Sequence, residues 1–553
     1  MTLLDWLIVL VLNGGVVAYG FYLARGTKTS QEWFLGNRSL IWWAVGLSSF
    51  ATNVDNADLV SLTGTSFREG FHIIAVHTLG AFAGAIIAAF FLVPAMVRAG
   101  HFTNAEYLEA RFGLSARVLS ALIQIQYRTS MLGLMIWSIY LLLTKFLGLE
   151  SGAAWVFIVG LVVLAAIYTS WGGLKTVVFT DAIQGIVMFV GMAAIFAAVW
   201  RTAGGWSEVK AALVAAGVQE NGQPVSDLAH MGKYRGDDGM TSPFVVFLGW
   251  IIIGGGYWTV NHTQTMRLLG TRSFWDMKMA ALFGVTISIP IMIGCSSIGI
   301  IGRSLFPEFE PPDALYPHLA DLYLGVGLKG LVVAGIIAAA ISTFDSMGSS
   351  LSAVFTRDVY ARLMVRDRED AHYVKVTRLA TICILGLGFA YIPFISGKDT
   401  MLKAFLTLIP VFVTPLFTIY LLGIFTDAHP RAGLTGILVG AAYGVVALYD
   451  REISDVTWLA SWFTNRWAAL CWSMAITLLG GIVATAIWGK HRPEEKEAAM
   501  GLAKAGWLKR SSESLPPLRE HPFDDQIPVF LRPGLIATVL VAATALILFT
   551  RFW

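Results

Sequence analysis

The sequence predicts an all-α integral membrane protein with about fourteen transmembrane helices. Three observations carry this. The chain of 553 residues is 56% hydrophobic and only 14% charged, against roughly 25% charged in globular proteins, and its mean hydropathy is +0.67. The apolar residues fall in runs of about 20, the length that crosses a bilayer as a helix. Two of those runs turn polar at mid-depth, which lipid tolerates only around a cavity, a partner or an ion. A net charge of +3 is too small to point to nucleic acid. Cys295, Cys383 and Cys471 are scattered through apolar segments and match no metal or disulfide spacing.

Spans are expected at 4–24, 39–63, 71–97, 115–146, 152–171, 176–201, 242–268, 276–302, 320–360, 374–396, 400–424, 430–450, 465–489 and 531–552. The first lacks the basic flank of a cleaved signal peptide and is expected to remain as a span. The second reads SLIWWAVGLSSFATNVDNADLVSLTGTSF and is interrupted at Thr52, Asn53, Asp55, Asn56 and Asp58. The fourth carries Arg128 deep in its length. An intramembrane arginine serves either a functional site or a carboxylate pair that holds two helices together. The fifth and sixth are joined by a short Gly-rich turn, which places Asp181 about one turn into the sixth. That carboxylate suits a cation, a proton relay or the helix N-terminus. The seventh is interrupted after Gly254, Gly255 and Gly256 by Asn261, His262, Thr263 and Gln264.

The ninth run is too long for one crossing and must bend, begin with a short entry helix or extend beyond the membrane. In its helix Ala339, Ser342, Thr343, Ser346 and Ser350 share one face. Hard cations take oxygen ligands, so this face suits Na+. It equally suits a packing seam whose hydroxyls bond back to i−4 carbonyls. Residues 490–530 form a charged linker, with 494–510 expected helical. It is too short for a catalytic domain. No phosphate-cradling loop, HExxH or nucleophile elbow occurs, and the chain is expected not to be an enzyme.

Lys and Arg set the orientation. Arg25, Lys28 and Arg38, then Arg98, Arg111 and Arg117, then Arg267, Arg272 and Lys278, then Arg357 to Arg378, then Lys490 to Arg519 all fall on one side of a fourteen-span chain. That side is the cytoplasm, so both termini are expected outside the cell's inner (plasma) membrane. The paired interruptions, at matching places in two halves, are the sequence pointer to an inverted-repeat transporter with its site near the midplane.

Five segments together resemble the sodium/solute symporter family: Phe34 to Thr52, Thr103 to Gly113, Tyr168 to Leu174, Tyr257 to Leu269 and Ala338 to Tyr360. The resemblance covers roughly residues 5–450. It implies a LeuT-type fold, a five-plus-five inverted repeat with one extra N-terminal and three extra C-terminal helices. The corresponding divisions are 1–30, a transport core at 31–425, and accessory helices at 426–553. For the shared Na+ site it implies the carbonyls of Ala51, Val54 and Ala339 and the hydroxyls of Ser342 and Thr343. For the second Na+ site of some members it implies Asp181, Asp345 and Ser346.

For the solute, Asn261 falls where sugar-transporting members carry an Asn, and Tyr257 and Trp258 match their aromatic pair. The pattern departs elsewhere. His77 stands for their Glu, an apolar stretch near Ile287 for their Lys, and Asp58 for a Gln. Asp55 replaces a Ser of proline-type members. The expected solute residues are therefore Asp55, Asp58, His77, Tyr257, Trp258 and Asn261, suited to a polyol, an amino sugar or an amine-bearing solute, or serving as supporting polar groups in a wet vestibule. The expected function is Na+-coupled symport of a small polar solute, a sugar or polyol in the first place. A proline-like amino acid symporter, a proton-coupled carrier and a passive pore are the alternatives. A sensor would need a signalling domain, which the sequence up to residue 553 does not show.

Overall fold

The computed structural model describes residues 1–24, 29–216, 219–220, 223–224, 228–236, 238–396, 401–452, 461–490, 518–523 and 526–553. It is helical almost throughout; the β structure described is one two-residue antiparallel pair, Gln219–Glu220 with Gln223–Pro224, and two isolated bridges, Leu40 with Thr271 and Ser273 with Arg519. In chain order the helices that matter are α1 Leu3–Ala24, α2 Ser30–Leu35, α3 Trp42–Asn53, α4 Asn56–Glu69, α5 Phe71–Ala99, α6 Asn104–Phe112, α7 Leu114–Leu141, α8 Ser151–Gly172, α9 Leu174–Ala203 and α10 Trp206–Ala215. They continue as α11 Pro243–Val260, α12 His262–Leu269, α13 Phe274–Leu305, α14 Leu315–Tyr323, α15 Leu328–Met364, α16 Asp370–Ile395, α17 Met401–Phe425, α18 Arg431–Glu452, α19 Arg466–Trp488 and α20 Pro533–Phe552.

Among the described residues, 12 helices are long and apolar enough to cross a membrane. The two other expected spans are the broken pair α3–α4, whose halves are each too short, and α7, which carries Arg117, Gln124 and Arg128. The expected ninth run divides into the short entry helix α14 and the long α15. The helix expected at 494–510 lies outside the described residues. The end of that linker returns to the start of α13, where the Phe274 and Trp275 amides donate to the Arg519 and Glu520 carbonyls at 2.9 and 3.0 Å.

Both helix breaks obey the rule that backbone polar groups inside lipid need partners. In α3–α4 the link at Val54 and Asp55 is extended. Asp55 caps α4, its Oδ1 accepting from the Asp58 amide at 2.9 Å, and Asp58 Oδ2 accepts in return from the Asp55 amide at 3.2 Å. Two of the helix's orphan donors are thereby satisfied. In α11–α12 the link is Asn261. Asn104 of α6 donates to the Thr259 and Val260 carbonyls at 3.2 and 2.7 Å. Gln124 of α7 accepts from the His262 amide at 3.2 Å. The second break is sealed by side chains from elsewhere in the fold.

Close packing explains the glycines of α11. A Cβ on Gly254 would lie 2.3 Å from the Gly80 carbonyl carbon of α5, and one on Gly84 would lie 2.4 Å from the Gly254 oxygen. These small residues let two helix backbones touch.

The orientation count included buried arginines. Arg38, Arg111, Arg117, Arg267 and Arg357 are core residues, not solvated loop charges. Arg117 and Arg357, with Arg362, tie α6, α7 and the end of α15 together. Arg117 pairs with Glu106 at 3.2 Å, Glu109 at 2.6 Å and Asp358 at 2.6 Å. Arg357 pairs with Glu106 at 3.3 Å, and Arg362 with Glu109 at 2.6 Å.

Candidate functional site

The polar face of α15 meets α3 and α9 in the core of the molecule. Gly185 of α9 permits the approach, since a Cβ there would sit 3.1 Å from the Ala51 Cβ. Ser342 Oγ lies 3.5 Å from the Ala51 carbonyl and donates to Asp181 Oδ1 at 2.7 Å. Thr343 Oγ1 donates to the Ala339 carbonyl one turn behind it, at 2.9 Å. That hydroxyl still presents lone pairs. Of the expected shared-ion ligands, the structure thus brings Ala51, Ala339, Ser342 and Thr343 to one helix crossing, with Val54 in the extended link at the end of α3. Carbonyl and hydroxyl oxygens of this kind are the ligand types a hard monovalent cation takes.

One turn along α15 a different arrangement appears. Asp181 Oδ2 accepts from Ser48 at 2.8 Å, from Ser346 at 3.1 Å and from the Arg267 guanidinium at 2.6 Å. Arg267 also donates to Ser48 Oγ at 2.7 Å, Thr263 O at 2.6 Å, Thr52 Oγ1 at 2.7 Å and Ser346 Oγ. Arg267 is 2% exposed and Asp181 fully buried. The position expected for a second Na+ is therefore filled by a cation on a side chain.

Asp345, expected there as well, points elsewhere. Its Oδ1 accepts from Thr169 of α8 at 2.6 Å, and its buried Oδ2 has no hydrogen-bond partner. Adjacent residues on a helix project about 100° apart, so Asp345 and Ser346 address different neighbours. The sequence reading missed Arg267 because it counted as a loop charge. Its spacing of four from Thr263, on the same half-helix face, was the available signal.

Beside the α3–α4 break lies a cavity of about 100 Å3. That is several times the roughly 10–15 Å3 needed to admit one water. Asp55, Asp58, His77, Tyr257 and Trp258 all line it, with Arg128, Tyr127 and Trp250. Asn261 is not part of this wall; its Oδ1 accepts from the Thr263 amide at 3.1 Å and caps α12. An asparagine at a helix break is drawn to the orphan amides of the next turn. Arg128 lies 5.5 Å from the Tyr257 ring centre and 5.8 Å from that of Tyr127. The Tyr257 hydroxyl donates to the Thr52 carbonyl at 2.6 Å, joining the cavity wall to the ion-facing turn of α3.

A buried, chemically mixed cavity at mid-helix, between two broken helices and next to an oxygen-rich crossing, defines a membrane transporter rather than an enzyme. Residues 33–444 match the model of the sodium:solute symporter family, and the chain belongs to that family, whose coupling ion is Na+. It is 26% identical to the sodium/myo-inositol cotransporter 2 of Rattus norvegicus, over 78% of this chain and 68% of that relative. It is 25% identical to the sodium/glucose cotransporter of Vibrio parahaemolyticus, over 81% and 84%. Its fold is similar to that of a Na+-coupled sialic acid symporter in a substrate-bound outward-open state, with a TM-score of 0.74 at 20% identity, covering 89% of this chain and 99% of that one. That likeness bears out the LeuT-type architecture.

Proposed function

We propose that the chain couples Na+ entry to uptake of a small polar solute of the sugar and polyol class by alternating access. The observation that carries this is the cavity lined by Asp55, Asp58, His77, Tyr257 and Trp258, one hydrogen bond from the turn of α3 that holds Ala51. Na+ at Ala51, Val54, Ala339, Ser342 and Thr343 bridges α3 to α15 and fixes the broken helix in the solute-binding arrangement. The core is residues 31–425, with 1–30 and 426–553 as accessory segments. The protein sits in the inner (plasma) membrane with both termini outside. Each Na+ crossing a 100 mV potential supplies about 2.3 kcal/mol, plus its concentration term.

Uptake into proteoliposomes tests the reading. Changing Ser342→Ala together with Thr343→Ala removes two ligands and raises the Na+ concentration needed for half-maximal uptake. An unchanged Na+ requirement in that variant, or wild-type uptake indifferent to a Na+ gradient, sinks the proposal.

A further inference from the structure

The cavity's charge is unbalanced. Two carboxylates, Asp55 and Asp58, face it with one arginine, Arg128, and no ion pair within 4 Å joins Arg128 to either aspartate among the described residues. Each aspartate commits one oxygen to the cap of α4. The second oxygen of each, Asp55 Oδ2 and Asp58 Oδ1, makes none of the described hydrogen bonds and is not sealed from the cavity. With both ionised, the wall carries one negative charge in excess, which a bound ammonium or a proton held by the carboxylate pair would offset.

Two further groups point to a ligand. Arg128, 2% exposed, and the buried Trp258 line the same cavity. The side chains of both are donors only, so a solute that reaches either must offer acceptor oxygens. Trp250 and Trp258 add aromatic walls beside the Tyr127 and Tyr257 rings, over which Arg128 already lies, and aromatic faces favour a cation.

Resting on the Na+-symport reading above, we propose that the transported solute is a protonated, hydroxylated amine, an amino sugar or amino polyol. Its ammonium sits against Asp55 and Asp58, and its hydroxyls accept from Arg128 and Trp258. The ammonium restores neutrality. A neutral sugar brings no positive charge to the pair, and a zwitterion brings a charge of each sign.

The test uses the full-length protein in nanodiscs with NaCl, and measures binding of D-glucosamine, N-acetyl-D-glucosamine, D-glucose, myo-inositol and L-serine by competition and thermal stabilisation. D-glucosamine is expected to bind about tenfold or more tightly than its N-acetyl form, because a charge-assisted hydrogen bond is replaced by a neutral one. Asp58→Asn and Asp55→Asn remove the charge while keeping the cap, since asparagine caps as well as aspartate. Both variants are expected to fold and to lose the preference for the amine. Equal or tighter binding of glucose, myo-inositol or serine overturns the amine and leaves Na+ symport standing, as does a D-glucosamine preference that survives both Asn variants. Absence of any Na+-dependent response across the panel overturns both proposals.

Discussion

Asp181 and Arg267 form a buried pair whose two halves are not equivalent, and that asymmetry can be measured. Asp181 is surrounded by Ser48, Ser342 and Ser346, all within 3.1 Å. Removing Arg267 therefore leaves a carboxylate ringed by hydroxyls, a set that a small cation fits. Removing Asp181 leaves a guanidinium with hydroxyls and one carbonyl, and no anion of the protein to replace the lost carboxylate among its hydrogen-bond partners. Breaking a buried ion pair costs about 3–5 kcal/mol. Arg267→Met keeps much of the side-chain volume and is expected to recover part of that loss in Na+, by about 2.7 kcal/mol at a hundredfold excess over the dissociation constant. Asp181→Asn is expected to stay destabilised whatever the salt. The double variant is expected to lose well under the sum of the two single losses, because neither charge is then stranded. The assay is the apparent melting temperature in NaCl against KCl at one ionic strength, compared with the wild-type response. If Arg267→Met and Asp181→Asn fall together and neither gains a Na+ response beyond wild type, the Asp181 pocket is not a cation position.

Three other outcomes follow from the same physics. Asp345→Asn is expected to change stability by less than about 1 kcal/mol and to leave the Na+ requirement of uptake intact, because its carboxyl has Thr169 as its hydrogen-bond donor and no cation; loss of coupling in that variant would instead place Asp345 in the ion cycle. Gly254→Ala is expected to destabilise the protein and reduce uptake, because the new methyl meets the Gly80 backbone at 2.3 Å; wild-type melting would contradict the close helix approach. Burial alone would raise the Glu109 carboxyl, but the hydrogen bond from Arg362 and the Arg117 charge hold it below its usual value. A depressed carboxylate stabilises the fold above its unfolded pKa of about 4.3 and loses that contribution as pH falls. Glu109→Gln is therefore expected to flatten the acid side of the stability profile, and an acid limb as steep as that of the wild type would refute the pairing.

How much of this was legible in the sequence depends on what kind of signal each residue leaves. Tyr257 and Trp258 stand out only through the resemblance to sugar-transporting members, whereas Asp55 and Asp58 announce themselves because carboxylates inside an apolar run have few structural excuses. The two breaks were readable for the same reason, and they fall at 54–55 and 261. Arg267 was hidden because hydropathy cannot tell a loop arginine from one on a buried half-helix. Asp345 was assigned with Ser346 although a single residue step on a helix changes the neighbour addressed. Asn261 was read for its amide and not for the cap that its position at a break demands. The role of Thr103 to Gly113 was invisible, because Asn104 acts on carbonyls more than 150 residues away, a contact no local pattern encodes.

On the reading proposed above, the Tyr257 hydroxyl, which donates to the Thr52 carbonyl, sets the length over which ion and solute communicate. The ring that walls the cavity and the peptide next to Ala51 share one hydrogen bond, so whatever tightens the turn for the ion also positions the ring for the solute. Linkage then needs no relay through the bundle: the free energy by which Na+ favours solute binding must equal that by which solute favours Na+. Tyr257→Phe should weaken both halves of that equality together while keeping the ring in the cavity wall and leaving the Na+ ligands in place. The currency of coupling in this chain is one peptide bond's orientation at a break in a helix.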